Sequence, residues 1–361
     1  MKTQKAIALC AAVGVAVAGL AFAAPAYADP VSNSYVLAGS DTLQDAANAL
    51  SNGTTISGAT VRVTAGGNTI GSFDAFGSAA IQTKNAGPYF ARPAGSGDGV
   101  KALSRSIDGA NFSVSGNSTP AKAITGQVDI ARSSSGPGSA ANTSGALEYF
   151  QFGRDALSYA YNGTGVDQLT TAQLTAIYNC SLTVVNGVTI NPILPQSASG
   201  TRKFFLAAIG ISTPGACVTQ SSFPENDGTV LTNPGDLIPF SVASWVAQKS
   251  GAAQDRTGTV ALGSAEGATA PTTGTGSAIV PNPTYYADAT WGRDTYVVVE
   301  YARVNPASAT YDANLAALVD PTKSKSLTNF GTGPSTSGAV KKKFGFLAPS
   351  TTVPIRANLS A

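Results

Sequence analysis

The stretch Pro195-Gln196-Ser197-Ala198-Ser199-Gly200-Thr201-Arg202-Lys203-Phe204-Phe205 decides how the rest of the chain is read. It follows the apolar residues 190–194, which predict the end of a strand. It opens a segment in which Phe205, Leu206 and Ile209 recur at helical spacing. Ser199, Gly200 and Thr201 therefore fall where a loop becomes the first turn of a helix. Backbone N–H groups there lack intrahelical partners and the helix dipole is positive, so such a turn cradles anions. The hydroxyls add donors, Gly200 lets a ligand approach the backbone, and Arg202 adds a charge. Taken alone, the turn reads more simply as an N-capped helix after a Ser/Gly-rich loop.

Repetition changes that balance. The strand-like Tyr35-Val36-Leu37 leads into Gly39-Ser40-Asp41-Thr42, and Leu43, Ala46, Ala47 and Leu50 then form a helical stripe. Gly95-Ser96-Gly97-Asp98-Gly99 opens another stripe through Val100, Leu103 and Ile107. The loop Arg132-Ser133-Ser134-Ser135 follows the strand-like Val128-Asp129-Ile130. Three Ser/Gly turns at helix starts and one Arg-Ser loop are expected to converge on a single small oxyanion.

Residues 1–28 read as an export signal: Lys2 and Lys5 give a positive start, an apolar run extends from Ile7 to Phe22, and Ala26-Tyr27-Ala28 is a small-x-small cleavage site. Cys10 lies too early to carry a lipid at that point. The expected product is secreted or held at the cell surface after cleavage at about Ala28, without stable membrane insertion. No later stretch approaches the roughly 20 apolar residues that span a bilayer.

Without Lys2 and Lys5, the 22 basic residues fall to 20, against 20 acidic ones. The remaining charge is near zero and scattered, which excludes the basic footprint of a nucleic-acid binder. Lys341-Lys342-Lys343 reads as a solvated helix end. Cys180 and Cys217 remain as an even pair, which in an exported chain reads as a disulfide. The chain has no histidine, which excludes Ser-His-Asp and Cys-His catalysis and any His-ligated metal centre. No cofactor and no metal are expected.

The order of elements predicts an α/β protein with two lobes and a ligand cleft between them. The expected division is 29–156 plus 291–361 for the first lobe and 157–290 for the second. Leu147 to Tyr161 reads as a long strand or interlobe crossing, and Thr170 or Thr171 caps a short helix holding Leu174 and Ile177. Leu237-Ile238-Pro239-Phe240 begins a strand followed by a helix through Val246 and Ala247. Gly258 to Pro283 reads as a long surface loop. Tyr296-Val297-Val298-Val299-Glu300-Tyr301 is the strongest β run and returns the chain to the first lobe.

With these loops in place, the sequence resembles the phosphate-binding subunit of bacterial ABC transporters, in the type II periplasmic-binding-protein superfamily, as a divergent secreted member. Gly39-Ser40-Asp41-Thr42-Leu43 is similar to the family's first-strand Gly-Ser-x-Thr turn, and Gly95-Ser96-Gly97-Asp98-Gly99-Val100-Lys101 to its Gly-Ser-x-Gly turn. Val128 to Ser133 stands where the family has Asp-(apolar)-(small)-x-Asp. Ser199-Gly200-Thr201 matches its second-lobe Ser-Gly-Thr, and Asn226-Asp227-Gly228 is similar to a later Asn-(acidic)-Gly. The resemblance implies ligand contacts at Ser40, Thr42, Leu43, Ser96, Ser133, Ser199, Gly200 and Thr201.

The departures are specific. Pro195 and Ser197 stand where the family places Arg and Asp, and the family's first-lobe Asp falls near Ser133. A carboxylate there favours a ligand that keeps a proton. Arg132 and Arg202 are the candidate replacement cations, acting as bidentate donors. The implied function is capture of phosphate or a similar oxyanion, by a monomer serving an ABC permease or scavenging. A hydrolase using Ser without His has no Ser-x-x-Lys at a well-patterned helix start to support it. A secreted structural or adhesive protein on the same scaffold, with no small ligand, is the main alternative.

Overall fold

The structure is a computed structural model that describes residues 31–220 and 223–361; the export signal expected at 1–28 lies outside them. The chain runs through β1 (Tyr35–Gly39), α1 (Gln44–Asn52), β2 (Ile70–Ser72), α2 (Ser96–Asp108), β3 (Ile130–Ser133) and the 15-residue β4 (Leu147–Tyr161). It continues through α3 (Thr171–Tyr178), β5 (Asn191–Leu194), α4 (Gly200–Ala208), β6 (Thr219–Gln220), β7 (Asp236–Ser241) and α5 (Val242–Lys249). It then returns through β8 (Gly292–Glu300) and ends with α6 (Ala313–Val319) and α7 (Ser337–Lys343).

One sheet carries the fold, in the order β6-β5-β7-β4-β8-β3-β1-β2, with Ala261–Leu262 and Ile355–Ala357 also paired to β4. β1 is parallel to β2 and β3, and β5 is parallel to β6 and β7. β8 lies antiparallel to β3, and β4 lies antiparallel to β7 and β8. Each end of the sheet is thus three parallel strands closed by one antiparallel strand. This is the two-lobed α/β arrangement expected from the sequence.

β4 explains how two lobes share one sheet. At about 3.4 Å per residue it is roughly 50 Å long, and all but two of its residues are buried. Leu147 to Ala156 pairs with β8, and Leu157 to Tyr161 pairs with β7. The strand therefore belongs to one lobe at its start and to the other at its end.

Strand periodicity divides the core. Tyr35 and Leu37 on β1, with Val297 and Val299 on β8, pack on one sheet face against Leu43, Ala46, Ala47, Leu50, Leu315 and Val340. Val36, Ala38, Tyr296 and Val298 take the opposite face with Val100 and Leu103. A separate core between Ala156 and Trp291 gathers Tyr159, Tyr178, Phe205, Phe240 and Trp291. The stripes read from the sequence on α1 and α4 are the buried faces of those helices: Leu43, Ala46, Ala47 and Leu50 on the first, Phe205 and Ile209 on the second.

Cys180 and Cys217 form the expected disulfide, with Cα atoms 5.9 Å apart. It ties the end of α3 to the segment leading into β6. Thr170 caps α3 with a capping box, its hydroxyl accepting from the Gln173 N–H while the Gln173 side chain accepts from the Thr170 N–H.

Three expectations need correction. Gly258 to Pro283 is more than a surface loop: Thr272–Thr273 and Val280–Pro281 form a two-stranded sheet, and Val260, Ala265 and Ile279 are buried in the second core. Lys341 is not solvated. Its side chain points into the first lobe, where Nζ donates to the Phe152 carbonyl at 2.5 Å and the Leu327 carbonyl at 2.8 Å, between the rings of Phe152 and Phe330. Burial pushes its ammonium well below the ordinary lysine range. Finally, Arg132 and Ser133 are not in a loop but end β3, in register with Val297 and Tyr296 of β8.

Candidate functional site

In an open α/β sheet the loops at the carboxyl ends of parallel strands form the ligand crevice. In this chain those loops come from both lobes and meet. β1 ends at Gly39 and delivers Ser40 to Thr42; β3 delivers Ser134; β5 delivers Pro195 to Ser199; β7 ends at Ser241. α2 and α4 start at the same seam.

The contacts across it are short. Thr42 Oγ1 lies 3.4 Å from Thr201 Oγ1, and Asn226 Nδ2 lies 3.4 Å from both Thr42 Oγ1 and Asp41 Oδ2. The Gly97 N–H donates to the Ala198 carbonyl at 3.1 Å. Ser96 Oγ is 3.1 Å from Ser134 Oγ and accepts from the Ser134 N–H at 2.9 Å. A Cβ placed on Gly200 would fall 2.3 Å from Ser96 Oγ and 2.4 Å from Ser134 Oγ. The absence of a side chain at Gly200 is what lets α4 rest against the start of α2. The seam is closed, with the Thr42 and Thr201 hydroxyls paired across it and those of Ser96 and Ser134 paired beside it.

Ser199 caps α4, its Oγ accepting from the Arg202 N–H at 2.9 Å. The same hydroxyl donates to Glu225 Oε2 at 2.8 Å, and the Thr201 N–H donates to that oxygen at 3.1 Å. A carboxylate of the protein thus sits on the first turn of α4, where the dipole and free N–H groups favour negative charge. Glu225 Oε1 is buried without a partner, as is Asp41 Oδ1. Burial, and then the charge and hydrogen bond of Glu225, raise the Asp41 carboxyl well above its usual range. Beside it, Arg293 on β8 donates to Asp155 of β4 at 2.8 and 3.0 Å and to Thr201 Oγ1 at 3.0 Å.

Two cavities flank the seam. One of about 200 Å³ is lined by Ser96, Ser133, Ser199 and Gly200, with the exposed Lys203 at its rim. Lys203 makes no ion pair among the described residues. One water needs about 10–15 Å³ of such space, so the cavity admits a small anion together with waters. The other cavity, of about 620 Å³, lies between the 75–79 and 114–118 loops of the first lobe and Gln196 to Ala198 of the second.

The residues singled out in the sequence divide accordingly. Ser96, Ser133, Ser199 and Gly200 share the smaller cavity, although Ser133 Oγ turns to its own loop and donates to the Ser135 carbonyl at 2.7 Å. Thr42 and Thr201 meet in the buried layer next to it. Ser40 Oγ is buried there with no partner. Leu43 is buried in the core and contributes apolar contact.

Neither arginine reaches the cradle. Arg132 is fully buried, and its guanidinium donates to the carbonyls of Gly39, Ser40 and Phe73 and to Ser72 Oγ. Ending β3, it braces the loop after β1 from behind, and burial pushes its pKa down to about 10. Arg202 points away into the larger cavity, bonding the Pro195 carbonyl at 3.1 Å and Gln220 Oε1 at 2.5 Å.

Sequence reasoning missed Glu225, Asp41, Ser134, Lys203 and Arg293. Asp41, Ser134 and Lys203 stood inside quoted stretches, and Glu225 immediately precedes the Asn226-Asp227-Gly228 stretch. Nothing local marks Arg293, which reaches the seam only because β8 crosses back.

No protein-family model and no curated protein sequence matches the chain. Among solved structures it is similar to an ABC-type phosphate transport receptor from Vibrio cholerae, with 17% identity over 87% of this chain and 100% of that one, at a TM-score of 0.48. A human phosphate-binding apolipoprotein is 14% identical over 88% of this chain and 92% of that one, at 0.47. A phosphate-binding protein from Stenotrophomonas maltophilia is 14% identical over 74% and 78%, at 0.40.

Proposed function

We propose that the protein is an extracytoplasmic solute-binding protein that captures a small oxyanion, phosphate in the first instance, between two lobes comprising 29–156 plus 291–361 and 157–290. It works by capture and performs no chemistry on its ligand. One observation carries the reading: the first turns of α2 and α4, from opposite lobes, abut with Ser96 and Ser199 beside one small cavity, and α4 already holds a carboxylate there. Donors that accept an internal oxyanion have the geometry for an external one.

The anion is held by Ser96, Ser199, Thr201 and Thr42, by the backbone of Gly200, and by the charge of Lys203. Because the seam is closed, binding requires the lobes to part and reclose on the ligand, a population shift driven by differential affinity. The bound form then serves an ABC permease or a scavenging role, as a monomer.

Thermal unfolding of residues 29–361 with phosphate, sulfate and a chloride control, at matched ionic strength, tests this. A ligand at 100 times its dissociation constant adds about 2.7 kcal/mol and raises the midpoint by a few degrees. The expected result is a rise with one oxyanion that is lost in Ser199→Ala. No rise with any oxyanion overturns the reading.

A further inference from the structure

We propose that Glu225 is an internal competitor for the oxyanion: its carboxylate fills the first turn of α4 in the closed form, and contact with Asp41 of the other lobe holds it there. The inference rests on the oxyanion reading of the seam and adds the regulation of that site.

The contacts of Glu225 are those an incoming anion needs. Its Oε2 takes the Ser199 hydroxyl and the Thr201 N–H, and Glu225 is only 2% exposed. Charge-assisted bonds of this kind are roughly twice as strong as neutral ones. An anion must therefore displace a well-bound occupant before it gains these donors. The remaining oxygen, Oε1, is buried without a hydrogen-bond partner, as is Oδ1 of Asp41, and the charge and hydrogen bonding of Glu225 act on the Asp41 carboxyl. Two buried carboxyl groups from two lobes share one contact.

That contact is sensitive to pH. Burial, and then the charge of Glu225, raise the Asp41 carboxyl well above its usual range in the closed form, so it holds a proton to higher pH there. When the lobes part, Asp41 meets water and its pKa falls toward the ordinary value. A group whose pKa is raised in one state stabilises that state at low pH and ceases to as pH rises through the raised value. The closed, self-occupied form is therefore favoured in acid and loosens toward alkaline pH. The other charges on the packed elements include Arg132 on β3, Asp45 on α1, Asp98 on α2, Asp74 after β2, Arg256 after α5, the Asp155–Arg293 pair on β4 and β8, and on α4 itself Arg202, turned to the Pro195 carbonyl and Gln220, and the exposed Lys203. Arg132 is turned to backbone carbonyls, and Arg293 is tied to Asp155, so neither neutralises Glu225 directly.

The test measures phosphate and sulfate binding by calorimetry for the wild type, Glu225→Ala and Glu225→Gln. Small-angle scattering of the ligand-free protein at pH 5 and pH 8 runs alongside. Glu225→Ala is expected to bind the oxyanion at least tenfold more tightly than the wild type, with Glu225→Gln between them. The Gln variant keeps the side-chain shape and an acceptor, so it guards against loss of folding. The wild-type radius of gyration is expected to grow from pH 5 to pH 8, and that of Asp41→Asn to stay at the compact value. Equal affinities in all three proteins overturn the competitor role while leaving the oxyanion reading intact. No binding by any of them overturns both. A wild-type radius that does not change with pH overturns the role of Asp41.

Discussion

Arg293 and Asp155 form a buried ion pair, 2.8 Å between Nη2 and Oδ2, on the two strands that cross between the lobes. Both side chains are at most 2% exposed. Asp155 also accepts from Ser241 Oγ and from the Ala243 N–H, each at 2.9 Å, at the start of α5. The guanidinium continues to Thr201 Oγ1 at 3.0 Å. One carboxylate thus joins β8, β4 and α5, and through Arg293 it reaches α4.

Removing one partner of a buried pair leaves a charge without compensation, which costs about 3–5 kcal/mol. Asp155→Ala is therefore expected to lower the unfolding free energy by about that amount in urea titration. Asp155→Asn, which keeps an acceptor for the Ala243 N–H, is expected to lose less. Equal stability of Asp155→Ala and the wild type would refute this role for the pair.

Gly200 controls how closely the lobes approach. A methyl group there meets Ser96 Oγ at 2.3 Å and Ser134 Oγ at 2.4 Å, distances no real Cβ contact shows. Alanine is also a better helix former than glycine, so α4 itself does not suffer. Gly200→Ala is expected to fold normally, show a larger radius of gyration by scattering, and bind the oxyanion at least tenfold more weakly. An unchanged radius would mean that the seam adjusts around the methyl group.

The sequence made the lobes legible because strand and helix periodicities are local. Leu43, Ala46, Ala47 and Leu50 face one way in any α-helix, and Val297 and Val299 share one face of any strand. The Ser/Gly turns at Ser96 and Ser199 were visible for the same reason. The roles of the arginines were not. Arg132 was read as a loop residue, but it ends β3, so its direction is set by register against Val297 rather than by the loop motif. Glu225 was invisible because its importance comes from Asp41, 184 positions earlier, and from the closing of one lobe on the other. Lys341 misled because a run of three lysines reads as a solvated face, yet one helical turn carries Lys341 inward while Lys342 and Lys343 remain exposed.

The disulfide stabilises the second lobe independently of the seam. Cys180 and Cys217 are 37 positions apart, and closing a loop of that length stabilises the fold by about 3–4 kcal/mol on the chain-entropy account. Cys180→Ser with Cys217→Ser is expected to lower the thermal midpoint by several degrees. Its oxyanion affinity at 25 °C is expected to stay within a factor of two or so. A large loss of affinity in a folded variant would show that the bridge positions β6 and the Glu225 loop.

Lys341 gives the first lobe a pH-dependent stability of its own. Its ammonium donates to two carbonyls and faces two aromatic rings, but burial still pushes its pKa well below the ordinary 10.5. Between the lowered value and 10.5, the unfolded chain holds a proton that the folded chain has released. Stability then rises with pH across that window, by up to about 1.4 kcal/mol per pH unit. Below the lowered value the slope vanishes, because both states are protonated. Lys341→Met keeps a long unbranched side chain between Phe152 and Phe330 and cannot titrate. Urea unfolding over a pH series from 7 to 10 is expected to show the wild type gaining stability relative to Lys341→Met once the pH passes the lowered value. Parallel curves for the two proteins would show that Lys341 keeps its proton throughout, held by the carbonyls of Phe152 and Leu327.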